Sequence, residues 1–340
     1  MSKKHKSFER IKRKADQIAR RVFGEHPVPV FEASASRHHR RVSLLELRLR
    51  TVRRRVVSRQ SFSGVQSFLQ FAGFPRSGHS LIGSLIDAHP RGIVAHELDI
   101  LGLIDAGWSR RDIFSLIESE SAAFMKHGRY WNGFAYVVPG QFNGRAAAPI
   151  IMGDKKGDWA VRRMQRDPGL LERLHETIDM PCKWLLVVRN PFDNIATMSL
   201  RRGGTYDRLR ISSPDSETFR ARLKAETGKS IADKADDNMI EDFVGLCHGV
   251  AAMQSRVAPE HWLGVGYESF AEAPVEGLGR ILDFLDLSDQ GGFVADAASI
   301  VRAGGSRSRH SVIWSQAQID RVREAIAEFE FLSLAETGEP

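Results

Sequence analysis

Apolar residues fall into short uninterrupted runs, separated by longer stretches whose apolar positions recur at helical spacing, from about Val65 to Phe329. Residues 68–73, 149–152, 183–188 and 262–265 read as strands; the run Lys183-Trp184-Leu185-Leu186-Val187-Val188 is the clearest buried one. Residues 80–88, 109–126, 191–200, 239–257, 275–285 and 315–329 read as amphipathic helices. Ser109 suits an N-cap, with Phe114, Leu116, Ile117 and Phe124 on the apolar face, and Pro191 suits a first helical turn. Strands alternating with helices predict an α/β fold of three layers, a mainly parallel central sheet flanked by helices. Residues 202–216, rich in Gly, Ser, Pro and charge, read as a mobile loop, and residues 130–157, the strand at 149–152 aside, are turn-rich and hard to assign.

Charge divides the chain. Residues 1–60 carry 18 Lys and Arg against 5 Asp and Glu, whereas the remainder carries 31 against 37. Ser61-Phe62-Ser63-Gly64 marks a boundary, giving a basic N-terminal arm over 1–63 and one domain over 64–335. The arm mixes Leu44, Leu45, Leu47 and Leu49 with arginines, the pattern of a basic amphipathic helix that binds an anionic membrane surface. A solvated arm, partly helical or disordered, has the same composition, and both readings stay open. No nucleic-acid motif or aromatic platform accompanies the charge, so no nucleic-acid partner is expected. With no long apolar run, no apolar signal core and two cysteines (Cys182 and Cys247) in apolar segments, the expected location is the cytoplasm, peripheral at the inner membrane face if the arm docks there. Both thiols are expected to be buried and inert.

The chemistry concentrates at Gly73-Phe74-Pro75-Arg76-Ser77-Gly78-His79-Ser80. This has the spacing of a phosphate-binding loop between a strand and a helix, with His79 where lysine belongs. Backbone N–H groups at such a helix start grip a phosphate. Without the lysine, the loop is poorly equipped for the β- and γ-phosphates of ATP. A second element begins at Arg189, at the end of the buried strand, and reaches Thr197 on the next helix, eight positions on. An arginine and a hydroxyl so placed converge on one phosphate at the carboxyl edge of the sheet, where open α/β sheets bind ligands. Two separated sites suit a nucleotide phosphorylated at two places.

These two elements resemble the nucleotide-binding motifs of the sulfotransferases, which use 3′-phosphoadenosine 5′-phosphosulfate (PAPS). The resemblance covers roughly residues 66–330 and implies a P-loop-like fold. It implies that Arg76, Ser77, Gly78, His79 and Ser80 surround the 5′-phosphosulfate and that Arg189 and Thr197 hold the 3′-phosphate. Many members carry threonine at the position of His79 and serine at that of Thr197. Leu85-Ile86-Asp87-Ala88-His89-Pro90 is similar to the segment after the loop in tyrosylprotein sulfotransferases and bacterial relatives, where a catalytic glutamate follows. Glu97, eight residues after His89, takes that place as general base, with His96 as its rival and His89 structural. Lys155, in Gly153-Asp154-Lys155-Lys156, corresponds to a family lysine that neutralises charge on the sulfuryl group, a task shared with Arg76. Tyr267-Glu268 reads as scaffold. In the basic segment Ser306-Arg307-Ser308-Arg309-His310, Arg307 or Arg309 reaches the 3′-phosphate, and spacing does not choose between them.

The resemblance therefore implies sulfuryl transfer from PAPS to an acceptor hydroxyl, without a metal. A saccharide or glycolipid hydroxyl is the first expectation for the acceptor. Sulfation of a protein tyrosine, or a nucleotide-dependent kinase of the P-loop class, are the alternatives.

Overall fold

The computed structural model describes residues 62–340 except 127, 132–133, 206–207, 210–215, 227–233, 305–306 and 337, together with 28–30 and 40–42 in the arm. Those two arm segments, β1 (Val28–Val30) and β2 (Arg40–Val42), pair antiparallel. The amphipathic segment around Leu44 to Leu49 lies outside the described residues.

Five apolar runs form the central sheet, where neighbouring strands satisfy the backbone polar groups; four are buried along their whole length and one edge strand is partly exposed. They are β3 (Ser67–Gly73), β4 (Gly92–Ala95), β7 (Ile151–Asp154), β8 (Cys182–Val188) and β9 (Trp262–Gly266). Apart from this sheet, β5 (Tyr130–Trp131) and β6 (Phe134–Ala135) pair antiparallel. The sheet runs in the order β4-β7-β3-β8-β9, every neighbouring pair parallel. In register, Ala95 pairs with Asp154, and Gly73 with Val187.

The helices are α1 (His79–Ala88), α2 (Ile100–Asp105), α3 (Arg110–Lys126), α4 (Gly157–Arg166), α5 (Leu170–Ile178) and α6 (Pro191–Arg202). There follow α7 (Ser216–Glu226), α8 (Asp237–Gln254), α9 (Tyr267–Glu272), α10 (Pro274–Phe284), α11 (Phe293–Ser299) and α12 (Gln316–Glu328). Side chains alternate across the sheet with the period of two that a strand imposes. Phe68, Ala72, Trp184 and Leu186 pack on one face with Ile117 of α3 and Phe243 of α8. Leu69, Phe71, Leu185 and Val187 pack on the other with Ile82 of α1 and Ile281 of α10. The result is the expected three-layer α/β fold with a parallel sheet.

The strand order sets the position of the site. From β3 the chain crosses by α1 to the edge strand β4, returns to β7, then passes to the other side of β3 as β8. The carboxyl ends on either side of β3 thus diverge, opening a crevice where this class of sheet binds ligands. Several elements exceed expectation. β4 is only four residues long, and α4 and α5 lie in charged sequence between assigned elements. Cys182 and Cys247 are buried free thiols, and burial pushes Cys182 up to about 12. No helix among the described residues is long and apolar enough to cross a membrane.

Candidate active site

The loop between β3 and α1 turns on three residues in the left-handed region: Gly73 (φ 119°), Arg76 (φ 73°) and Gly78 (φ 108°). At Gly78 a second constraint applies, since a Cβ would stand 2.3 Å from the Tyr267 ring. Tyr267, expected to be scaffold, is the floor on which the loop rests. Ser77 Oγ donates to the Phe74 carbonyl at 2.9 Å, closing the turn from within. Gly78 caps α1 without a side-chain hydrogen bond. Among the described residues, the backbone N–H groups of Gly78, His79 and Ser80 donate to no protein acceptor. Unsatisfied donors at a helix start, joined to the macrodipole, favour an oxyanion there.

His79 is inverted relative to a phosphate-binding lysine. Its ring is buried, packs edge-on to Phe71, and its Nε2–H donates to the Ala72 carbonyl at 3.1 Å. Burial, reinforced by the charge of Lys155, lowers its pKa to about 3, so the imidazole is neutral. The ring thus turns into the core, leaving the backbone N–H of His79 at the helix start.

An ammonium reaches the head of α1 from another strand. Lys155 follows β7, and its Nζ lies 3.1 Å from Ser80 Oγ and 2.7 Å from Glu97 Oε1. Lys156 Nζ stands 2.7 Å from Glu97 Oε2, so both lysines address one carboxylate. Burial lowers the Lys155 pKa, with Glu97 opposing. Burial also works against the Lys156 charge, but Glu97 and Asp158 outweigh it and raise that pKa above the ordinary lysine value. The Glu97 side chain is 15% exposed, enough to meet a substrate. Asp154, fully buried at the end of β7, accepts backbone N–H groups from Leu98, Ile100 and Lys156, which fixes the chain on both sides of the triad. Burial raises Asp154 to about 6, the backbone donors working the other way.

The rival base is engaged elsewhere. His96 is buried, stacked on Phe124 at 4.0 Å and edge-on to Trp131 at 5.2 Å. His89 holds two backbone groups: Nε2–H donates to the Ser288 carbonyl, and Nδ1 accepts from the Arg91 N–H.

The second element forms at the end of β8. Asn190 caps α6 by accepting from the Asp193 N–H, which turns the chain so that Arg189 and Thr197 face one another. Arg189 Nη1 lies 3.2 Å from Thr197 Oγ1 and 3.3 Å from the Arg76 carbonyl, so the second site is tied to the first loop. Ser308 Oγ stands 3.1 Å from Thr197 Oγ1, a third group that spacing did not single out. The two C-terminal arginines separate. Arg309 is buried, paired through Nη1 with Asp193 Oδ2 at 3.2 Å, and its Nη1 also donates to the Gly338 carbonyl. Arg307 is exposed at the edge of the same segment. Among the described residues, no group of three or more His, Cys, Asp and Glu is arranged to hold a metal.

No protein-family model and no curated protein matches this chain. Solved structures resembling it include a sulfotransferase from Mycobacterium avium, at 11% identity over 87% of this chain and 83% of that one, TM-score 0.46. The sulfotransferase domain of the Synechococcus PCC 7002 olefin synthase aligns at 14% identity over 78% and 94%, TM-score 0.42. A mouse sulfotransferase complexed with PAP aligns at 14% identity over 78% and 84%, TM-score 0.35. With scores this low, the fold and the site stand on this chain's own sheet order and side chains.

Proposed function

We infer that this protein is a PAPS-dependent sulfotransferase that moves a sulfuryl group to an acceptor hydroxyl. The observation that carries the reading is one continuous line of contacts. It runs from Glu97 through Lys155 to Ser80 at the head of α1, and from the loop at Arg76 to Arg189 and Thr197. A carboxylate, a cationic first anion site and a second anion site stand along one sheet edge. When bound, PAPS supplies the sulfuryl group and leaves as adenosine 3′,5′-bisphosphate as its S–O bond to the phosphate breaks. Glu97 takes the proton of the acceptor hydroxyl as the new O–S bond forms. Arg76, Lys155 and the α1 N–H groups neutralise oxyanion charge at the first site. Arg189, Thr197 and Ser308 hold the 3′-phosphate, with Arg307 available beside them. None of these roles requires a metal.

The acceptor we favour is a saccharide or glycolipid hydroxyl, with a protein tyrosine as the alternative. Trp131 lies against His96, the neighbour of Glu97, and Trp159 lies 5.9 Å from Lys156 Nζ. Both rings are half-buried, and flat apolar faces near the base suit the ring of a sugar or a phenol. Transfer of label from sulfur-labelled PAPS to extracts, with mass spectrometry of the product, identifies it.

One observation favours a kinase reading: Lys155 sets an ammonium beside Ser80, so the absence of lysine at position 79 does not by itself rule out a triphosphate. Calorimetry separates the two. Adenosine 3′,5′-bisphosphate should bind more tightly than ATP–Mg²⁺, and the reverse order would assign the site to a kinase.

A further inference from the structure

Two glycines stand where any larger residue would displace the lysine at the head of α1 or the loop beneath it. Gly83 lies inside α1, where glycine is disfavoured relative to alanine. A Cβ there would meet Lys155 Cγ at 2.8 Å and Lys155 Cβ at 3.3 Å. These are the near end of the side chain, anchored to the backbone after β7, and cannot swing aside as a free ammonium would. The Lys155 stem therefore crosses α1 through the gap at Gly83. Gly157 opens α4, and a Cβ there would meet His79 Cε1 at 2.6 Å and the Ala72 carbonyl carbon at 3.1 Å. The His79 ring fills the slot that Gly157 leaves, while its Nε2–H holds the Ala72 carbonyl. The Lys155-Lys156-Gly157 segment is thus seated directly against the phosphate loop.

We propose that Gly83 and the His79–Gly157 pair are positioning residues that deliver the Lys155 ammonium to Ser80. By this device a lysine absent from the loop sequence is supplied across the sheet from β7. The His79 side chain acts through Gly157 and Ala72, and only its backbone N–H faces the anion. Gly83 acts only by lacking a side chain. The role of Lys155 toward a sulfuryl group rests on the sulfotransferase reading; its placement does not.

The test uses the full chain and three variants: Gly83→Ala, Gly157→Ala and the double variant His79→Ser/Gly157→Ala. The first readout, independent of any nucleotide, is the acylation rate of Lys155 by an amine-reactive ester, followed by mass spectrometry against the exposed lysines. The second is affinity for PAPS relative to adenosine 3′,5′-bisphosphate. In Gly83→Ala, Lys155 should acylate several-fold faster and the preference for PAPS should fall about tenfold. The melting temperature should change little, because the helix propensity gained with alanine opposes the cost of crowding the Lys155 stem. A merely structural role for Gly83 would lower stability without a selective change at Lys155. Gly157→Ala should give the same Lys155 signature, and the double variant should move it back toward wild type, because serine vacates the slot. Wild-type acylation and nucleotide preference in Gly83→Ala, or a double variant no closer to wild type than Gly157→Ala, would overturn the proposal. If wild-type protein binds neither nucleotide, the sulfotransferase reading fails, and the acylation rates still decide the placement of Lys155.

Discussion

Lys155 Nζ donates to Glu97 Oε1 across 2.7 Å, joining the segment after β7 to the segment after β4 at their carboxyl ends. With Lys156 on the other oxygen, the carboxylate is held in one orientation by two cations. That orients the lone pairs of a base before any acceptor arrives.

Glu97→Gln keeps the shape and removes the proton acceptor. Sulfuryl transfer should drop by about 10²–10⁴, while calorimetric affinity for adenosine 3′,5′-bisphosphate should stay within a few-fold of wild type. Near-normal transfer in this variant would take the base role from Glu97.

Arg189 and Thr197 are expected to read the 3′-phosphate. Arg189→Ala should weaken adenosine 3′,5′-bisphosphate by about 10–100-fold, the worth of a hydrogen bond to a charged group, and leave affinity for adenosine 5′-phosphate nearly unchanged. Thr197→Val should show the same selectivity at a smaller size. Equal losses for both nucleotides would place the effect on the loop, through the Arg76 carbonyl, instead of on the phosphate.

The two arginines of the C-terminal segment should separate by stability. Arg309→Ala leaves Asp193 buried without its partner, at a cost of about 3–5 kcal/mol in chemical denaturation. Arg307→Ala, at an exposed position, should stay within about 0.5 kcal/mol of wild type and instead weaken nucleotide binding. Comparable denaturation midpoints for the two variants would contradict the assignment of Arg309 as an anchor.

Acid sensitivity contains two opposed contributions. Burial holds His79 neutral, with its pKa at about 3 against an ordinary 6.5. Between those values the unfolded chain binds the extra proton, so stability rises with pH, by up to about 1.4 kcal/mol per unit. Burial raises Asp154 from 3.8 to about 6, so in that window the folded chain holds the extra proton and stability falls as pH rises. His79→Asn removes the first contribution and leaves the second. The stability of wild type relative to the variant should therefore rise from about pH 4 to about pH 6. Parallel pH profiles for the two proteins would show that His79 is not buried neutral.

The sequence made the framework readable where a run was long and apolar: β3, β8 and the helices after them fall within a residue or two of their expected limits. β4 escaped because four residues after a Pro-Arg turn carry too few periods to register. α4 escaped because its stripe is thin, Ala160, Val161 and Met164 amid charge. Fixed spacing singled out Glu97 and Lys155, which the fold brings to 2.7 Å, and Arg189 and Thr197, which it brings to 3.2 Å. Spacing did not reveal contacts with distant neighbours. Nothing local to Gly78 announces Tyr267, and nothing near Thr197 announces Ser308, since those contacts span about 110 residues or more of chain. The split between Arg307 and Arg309 is likewise a matter of which side chain finds Asp193.

The pairing of Ala95 with Asp154 carries a consequence for tolerance to insertion and deletion. Glu97 stands two positions beyond one member of that pair, and Lys155 and Lys156 stand one and two beyond the other. Their meeting depends on chain length past the last ladder rung as much as on side-chain identity. Adding or removing a single residue in either overhang would part the acid from its cations even with every functional side chain retained. In these two overhangs, spacing should therefore vary less than composition.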